Sequence, residues 1–229
     1  MPDSVSPDSS RSGTDRTPAP VLIVDDHPMI REGLAARIAV QPDLIVCGEA
    51  SDADQALALL DSEQPALIVL DLVLKGSHGL DLIKKIRRRG NTVKILVLSA
   101  LEESLYAERA LQAGAQGYIN KQQAQENVID AIRTVLRGEH YLSVEMRERL
   151  VGHALSGTPK PSGIASLSDR ELEIFRLIGQ GQSTRAIAAD LHLSIHTIEA
   201  HRTNIRAKLN LRDGAELVQQ AIQWVLEQG

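Results

Sequence analysis

At 229 residues the chain has room for one large or two ordinary domains, each able to bury a core. Its net charge of −5 excludes a protein that is basic throughout, though not a local basic patch, and a single cysteine, Cys47, excludes a disulfide framework or a thiolate metal cluster. No apolar run approaches the roughly 18 residues that span a bilayer and no signal-peptide core is evident, so a soluble protein of a reducing, cytoplasmic compartment with no membrane partner is expected.

Residues 1–19 are rich in Ser, Pro, Asp and Thr, with Val5 the one aliphatic side chain larger than alanine after the initiator, and are expected to form a disordered tail. Order is expected from Val21. Strand patterns follow at 21–25 (VLIVD), 44–49 (LIVCGE), 66–71, 93–98 (VKILVL) and 115–119 (AQGYI), with helical patterns near 28–41, 53–63, 79–89, 103–113 and 122–137 between them. Pro28 suits a first helical position, and Gly114 and Gly138 suit positions just past helix ends. Cys47 falls in a strand pattern, where an inert buried thiol is expected. Five β-α pairs predict a doubly wound, five-stranded parallel sheet covered on both faces. Beyond Gly138 the rhythm changes to a connector, one further helix from about Val144, and a Ser/Gly/Pro linker over about 155–166. From Leu167 onward the pattern is wholly helical, so a small α domain follows the α/β one.

The run ALIVLDL, Ala66 to Leu72, is almost unbroken in its apolarity and suits a strand buried on both faces. Its carboxylate, Asp71, has to emerge at the strand's carboxyl end, which is where open α/β sheets place their crevices. In the order 2-1-3-4-5 the switch point lies between strands 1 and 3, whose ends carry Asp25, Asp26 and Asp71. Strand 4 ends on Ser99 and strand 5 leads into Lys121. Carboxylates so grouped repel unless a cation joins them, and Mg²⁺ suits oxygen ligands and phosphate oxygens together. A carboxylate can attack phosphorus while metal and lysine neutralise the transferring group.

DDHP, VLDL, KGSHG, LSA and GYINK, in that order over about 20–138, resemble the receiver domain of two-component response regulators, which has the flavodoxin-like fold. The resemblance implies that Asp71 is the phosphoacceptor for a histidine kinase. It implies Mg²⁺ on Asp25, Asp26, Asp71 and the Val73 carbonyl, phosphoryl contacts from Ser99 and Lys121, and a switch in which Tyr118 reorients with Ser99. For Tyr118 a strand aromatic packing on a helix is an equal reading. Lys75 departs from the proline usual in the loop after the acceptor, while Gly76 and Gly79 keep the turn. Val73 and Leu101, two residues beyond Asp71 and Ser99, are apolar and cannot position an attacking water, so a long-lived aspartyl phosphate is expected. His27, His78 and His140 lack metal-site spacing and read as surface or turn histidines, and Arg87 to Arg89 read as a solvated helix end.

In the C-terminal part, Leu167, Ser168, Glu171 and Leu172 form a capping box with a hydrophobic staple. Ser183 can cap a short second helix and Ser194 a third, from Ile195 to Leu209, followed by Asn210 at a position that tolerates positive φ. Two short helices joined by a tight turn follow the helix-turn-helix plan. Ile198, Ile205 and Leu209 form the inward stripe of the third helix, and Arg202, Arg206, Lys208 and Arg212 oppose only Glu199 nearby, the footprint of a phosphate-contacting element.

LSDRELE, Gly181, STRAIAADL and LSIHTIEAHRTNIRAKLNL resemble the LuxR-type (NarL/FixJ) DNA-binding domain over 167–229. Glu199, Ala200 and Thr203 are then expected at base edges of double-stranded DNA, and Ser183, Thr184, Thr197, Arg202, Arg206 and Lys208 at phosphates. The last helix presents Leu217, Val218, Ala221, Ile222, Val225 and Leu226, and a homodimer on paired half-sites is the natural use of such a surface. Such a chain would be a phosphorylation-switched transcription factor. A phosphohydrolase using Asp71 as nucleophile usually carries a second Asp where Val73 stands, and the intact acid, hydroxyl and lysine set argues against a degenerate receiver on a constitutive DNA binder.

Overall fold

In the computed structural model of the chain, residues 17–156 and 162–228 are described. The first half runs β1 (Ala19–Val24), α1 (Pro28–Ala39), β2 (Leu44–Ala50), α2 (Ala53–Glu63), β3 (Leu67–Leu70), a hairpin of β4 (Val73–Leu74) and β5 (Ser77–His78), α3 (Gly79–Arg88), β6 (Lys94–Ser99), α4 (Glu103–Ala113), β7 (Gly117–Asn120) and α5 (Lys121–Leu136). The sheet order is β2-β1-β3-β6-β7 with every pairing parallel. With the two-residue hairpin strands set aside, this is the expected order 2-1-3-4-5.

Alternation along the central strands sends side chains to both faces. Leu22, Val24, Ile68 and Leu70 meet Leu80, Ile83 and Tyr106 on the α2–α3–α4 side. Val21, Ile23 and Val69 meet Leu34, Ile38, Val128 and Ile132 on the α1–α5 side. Both layers are apolar, which is why β1 and β3 read as continuous rather than alternating hydrophobic runs.

The chain continues through α6 (Val144–Ser156) and a 3-10 turn (Gly163–Ser166) to α7 (Asp169–Gly179), α8 (Thr184–Asp190), α9 (Ile195–Leu209) and α10 (Gly214–Gln228). Ser168 and Glu171 make the reciprocal capping box, the Glu171 amide donating to Ser168 Oγ at 3.4 Å and the Ser168 amide to Glu171 Oε2 at 2.8 Å. Ser183 accepts from the Ala186 amide at 3.2 Å and Ser194 from the Thr197 amide at 3.0 Å, so both helices of the helix-turn-helix start on a serine cap. Asn210 takes the left-handed backbone, φ 55°, past α9. Phe175 and Trp224 pack with ring centroids 5.5 Å apart and tie α7 to α10.

Several expectations need correction. β1 starts at Ala19, inside the stretch expected to be a tail, because the Ala19 amide donates to Asp43 O at 2.9 Å and adds a rung to the edge with β2; residues 1–16 lie outside the described residues. The linker contains the 3-10 turn at Gly163–Ser166, while residues 157–161 lie outside the described residues. Cys47 is only half-buried, with burial pushing its thiol up. On α10, Leu217 and Ala221 are core, Val218 and Val225 are half-buried, and Ile222 and Leu226 are exposed.

Arg87 is no solvated helix end, since its guanidinium donates to the carbonyls of Asn91, Val93 and Gly114 at 2.9, 2.8 and 2.7 Å. His78 is no surface residue. It caps α3 by accepting from the Leu80 amide at 3.2 Å, stacks on Tyr106, and is buried under the C-terminal helices. Burial, with the Arg176 guanidinium beside it, pushes its ring down to about 3.

Candidate functional site: the carboxylate rim and the recognition helix

Asp25 and Asp71 leave β1 and β3 at the same level because their backbones keep the parallel ladder going for one more residue. The Asp25 amide donates to Ala50 O at 3.1 Å and the Asp71 amide to Val24 O at 2.8 Å. Ser99 is the last residue of β6 and Lys121 the first of α5. The sheet thus carries four polar side chains to one rim, and Asp25, Asp71 and Ser99 are buried there.

The Lys121 ammonium sits 2.6 Å from Asp25 Oδ2 and 2.6 Å from Asp71 Oδ2. Ser99 Oγ donates to Asp71 Oδ1 at 2.8 Å, and the Val73 amide reaches the same oxygen at 3.2 Å. The electrostatics pull two ways. Burial opposes the charge on Lys121, but Asp71 and Asp25 outweigh it and raise the ammonium above its ordinary value. Burial raises the Asp71 carboxyl, and Asp25 adds to it, against the pull of Lys121 and Ser99. One cation holds two carboxylates and does not fully offset the burial of Asp71. The rim is short of positive charge.

Asp26 is half-buried, and its Oδ1 lies 2.7 Å from His27 Nδ1. Asp25, Asp26, His27 and Asp71 each bring one ligand atom to within 4.8 Å of the others, an arrangement that could hold a metal ion. Asp25 Oδ2 faces Lys121 Nζ at 2.6 Å and Asp26 Oδ1 faces His27 Nδ1 at 2.7 Å, so a metal ion here would share these oxygens with the two basic groups. His27 joins this cluster although its spacing gave no hint of it. The signal was its place directly after the two acids. Its amide donates to Asp25 Oδ1 at 2.8 Å and fixes the turn.

Behind the rim, a Cβ on Gly79 would lie 2.4 Å from the Asp71 carbonyl oxygen. Only a glycine lets α3 start so close to the acceptor loop. Gly76, at φ 72°, turns the β4–β5 hairpin, so the loop closes despite Lys75. Tyr118 is buried, its hydroxyl donating to Leu101 O at 2.8 Å, so the ring already faces inward. Val73 and Leu101 both line a cavity of about 320 Å³ above Asp71 and Lys121. The opposite wall of that cavity is Arg176 of α7 and Gln180 at its C-cap with Trp224 and Val225 of α10, so the C-terminal helices roof the rim.

On α9, Glu199, Ala200 and Thr203 are exposed and the inward stripe of Ile198 and Ile205 is fully buried. Thr184 Oγ1 donates to Glu199 Oε1 at 3.0 Å and braces α8 on α9, while Arg202 lies 3.7 Å from the same carboxylate group. Thr203 Oγ1 donates back to Glu199 O at 3.0 Å, and Thr197 shares a hydrogen bond with Ser194 at 2.8 Å. Lys208 is committed elsewhere, 2.6 Å from Glu171 Oε2. Glu171 lies 37 residues away and leaves no local sign, whereas Glu216, four residues after Arg212 and 3.3 Å from it, corrects the expectation that these cations oppose only Glu199. Arg206 has no hydrogen-bond or ion-pair partner among the described residues, which leaves it the free cation of the helix.

The bacterial response regulator receiver domain matches residues 21–133, and the luxR family of bacterial regulatory proteins matches 165–221. The chain belongs to the LuxR-family response regulators. Such regulators join a receiver to a DNA-binding domain and control transcription. This one is 36% identical over 208 residues to the oxygen regulatory protein NreC of Staphylococcus carnosus, covering 88% of this chain and 96% of that protein. It is 35% identical to the transcriptional regulatory protein LiaR of Bacillus subtilis, covering 84% and 92%. Among solved structures it resembles RcsB of Salmonella enterica bound to the promoter rprA with the phosphomimetic BeF₃⁻, at 26% identity and a TM-score of 0.64, covering 89% of this chain and 98% of that one. No helix among the described residues of this response regulator is long and apolar enough to cross a membrane.

Proposed function

We propose that Asp71 accepts a phosphoryl group from a histidine kinase and that the modification controls DNA binding and dimerisation of this regulator. The observation that carries the reading is Asp71 itself. It is a buried carboxylate held between Ser99 Oγ at 2.8 Å and Lys121 Nζ at 2.6 Å, beside a second buried acid, Asp25, that shares the same ammonium. Asp25, Asp26 and Asp71, with the Val73 carbonyl, would hold Mg²⁺. The cation supplies the positive charge that the rim lacks when a phosphoryl group arrives. An Asp71 carboxylate oxygen forms the new bond to phosphorus as the phosphorus–nitrogen bond of the donor histidine breaks, and the imidazole leaves with the electron pair. Lys121 and Ser99 then serve the phosphoryl oxygens in place of the free carboxylate.

The new group brings about −1.5 to −2 charge to the rim. It competes with Asp25 for Lys121 and draws Ser99 toward itself. Leu101, two residues on, carries the carbonyl bonded by Tyr118, and α4 begins at Glu103, so motion of this loop reaches Arg109 on α4. Arg109 holds Asp169, the first residue of α7, at 2.8 Å. Loosening that grip frees the C-terminal helices, with Ser99 and Tyr118 acting as the switch. Because Glu199, Ala200 and Thr203 are exposed with the receiver in place, the receiver acts through α7 and α10 rather than by covering the reading face. Ile222 and Leu226 then supply the dimer contact.

Glu199, Ala200 and Thr203 read base edges, with Arg206 the principal phosphate contact and Ser183, Thr184, Thr197 and Arg202 beside it. Lys208 contributes only where it leaves Glu171. Val73 and Leu101 themselves offer no group to orient a water, and release of the C-terminal helices carries Arg176 and Gln180 away, so decay of purified phosphoprotein takes minutes or longer; decay within seconds would contradict this. The coupling is tested by fluorescence anisotropy on paired half-site DNA with and without a small phosphodonor and Mg²⁺. Tighter binding on phosphorylation supports the reading, and identical isotherms reject it.

A further inference from the structure

A second cavity, of about 760 Å³, lies between the end of α3, α4, α6 and the 3-10 turn, so both halves of the chain build it. Its volume suits a small organic ligand. Lys84, Arg87, Arg88, Arg109 and Arg149 line it against two carboxylates, Glu108 and Asp169, an excess of three positive charges in a chain whose net charge is −5.

Those charges are not neutralised. Asp169 alone answers both Lys84, at 2.6 Å, and Arg109, at 2.8 Å. Arg87 is fixed by three main-chain carbonyls, which orient its guanidinium without cancelling its charge. Arg149 reaches only the Ser104 carbonyl, at 2.8 Å, and Arg88 has no partner among the described residues. A concave wall with a net excess of one sign focuses its field on the space it encloses, and guanidinium groups match phosphate oxygens in pairs. Among the described lining residues the only ring is His153, which lies 3.6 Å from Glu108, and five cations outnumber it, so phosphate groups carry most of the recognition.

We propose that this cavity binds a small polyphosphate anion carrying at least two phosphoryl groups, which clamps the receiver to the C-terminal helices. A ligand held by both domains favours the closed arrangement, and by linkage it opposes any event that opens it. The anion is therefore a second input, acting against the phosphoryl group on Asp71.

The test is isothermal titration calorimetry of the intact chain with inorganic tripolyphosphate and, separately, ATP, both without Mg²⁺. Arg88→Glu/Arg149→Glu is titrated alongside; both side chains are exposed, so the fold tolerates the change. Arg88→Gln is a milder second variant, and Arg206→Ala controls for polyanions on α9. One saturable site is expected, weakened at least tenfold in the double variant, less in Arg88→Gln, and unchanged in Arg206→Ala. Equal affinity for the two anions marks a site that reads phosphate alone, and tighter ATP marks one that also touches the nucleoside. Absence of saturable binding overturns the proposal. So does binding that survives the double variant and vanishes in Arg206→Ala.

Discussion

Arg109→Ala is expected to open the two domains without unfolding either. The Arg109 guanidinium donates to Asp169 Oδ1 at 2.8 Å and to the carbonyls of Ala165 and Leu167 at 3.0 and 2.8 Å. A hydrogen bond to a charged partner contributes about 1.5–3 kcal/mol and a neutral one about 1. The Arg109 side chain is 16% exposed and Asp169 25%, so solvent screening takes back part of this. Lys84 also keeps its hold on Asp169, at 2.6 Å. A net loss of about 2 kcal/mol remains, a shift of about 30-fold in the closed-to-open ratio.

Acid acts on the same contact. Burial opposes ionisation of Asp169, yet Lys84 and Arg109 outweigh it and hold the carboxyl below its ordinary 3.8. A depressed folded value gives stability that is present above 3.8 and lost as pH falls through the folded value. The latch is therefore at full strength at neutral pH. Small-angle scattering should show a larger radius of gyration for Arg109→Ala, and DNA affinity without phosphorylation should rise toward that of the phosphorylated wild type. Unchanged scattering and unchanged DNA affinity would refute the latch.

Other perturbations test other parts. Burial raises the Asp71 carboxyl above its ordinary 3.8, so its ionisation costs stability as pH climbs beyond that range, and Asp71→Asn should raise the thermal midpoint at pH 7 in metal-free buffer; a lower midpoint counts against this. Gly79→Ala forces a Cβ to within 2.4 Å of the Asp71 carbonyl oxygen, and a loss of about 1–3 kcal/mol in urea unfolding is expected, with slowed phosphorylation. Wild-type stability would show that the loop has slack. Arg206→Ala should weaken binding to all DNA sequences alike and reduce the salt slope by about 1, as for a phosphate contact; a loss confined to one base position would make Arg206 a reader instead.

The sheet was legible because its signal is local. The runs at β1 and β3 are apolar on both faces, and each ends on an acid that can be buried only with a partner, so Asp25 and Asp71 mark strand and rim together. α9 was legible to the residue because Ser194 and Asn210 cap it. What could not be read are contacts between side chains far apart in sequence. Lys208 stood as a free cation until the fold brought Glu171 to 2.6 Å, and His78 stood as a turn histidine until α7 covered it. Asp169 gave no sign that it would answer Lys84 and Arg109, which lie 85 and 60 residues earlier. Charge pairing across domains leaves no periodicity in a sequence, whereas strands, caps and tight glycine turns do.

Mass spectrometry of the intact chain, after incubation with a small phosphodonor and Mg²⁺, tests the phosphoacceptor most directly. A mass increase of one phosphoryl group is expected on wild type, dependent on the divalent cation and mapping to Asp71, with no increase in Asp71→Asn. An increase of the same size in Asp71→Asn, or none in wild type, would contradict the assignment of Asp71.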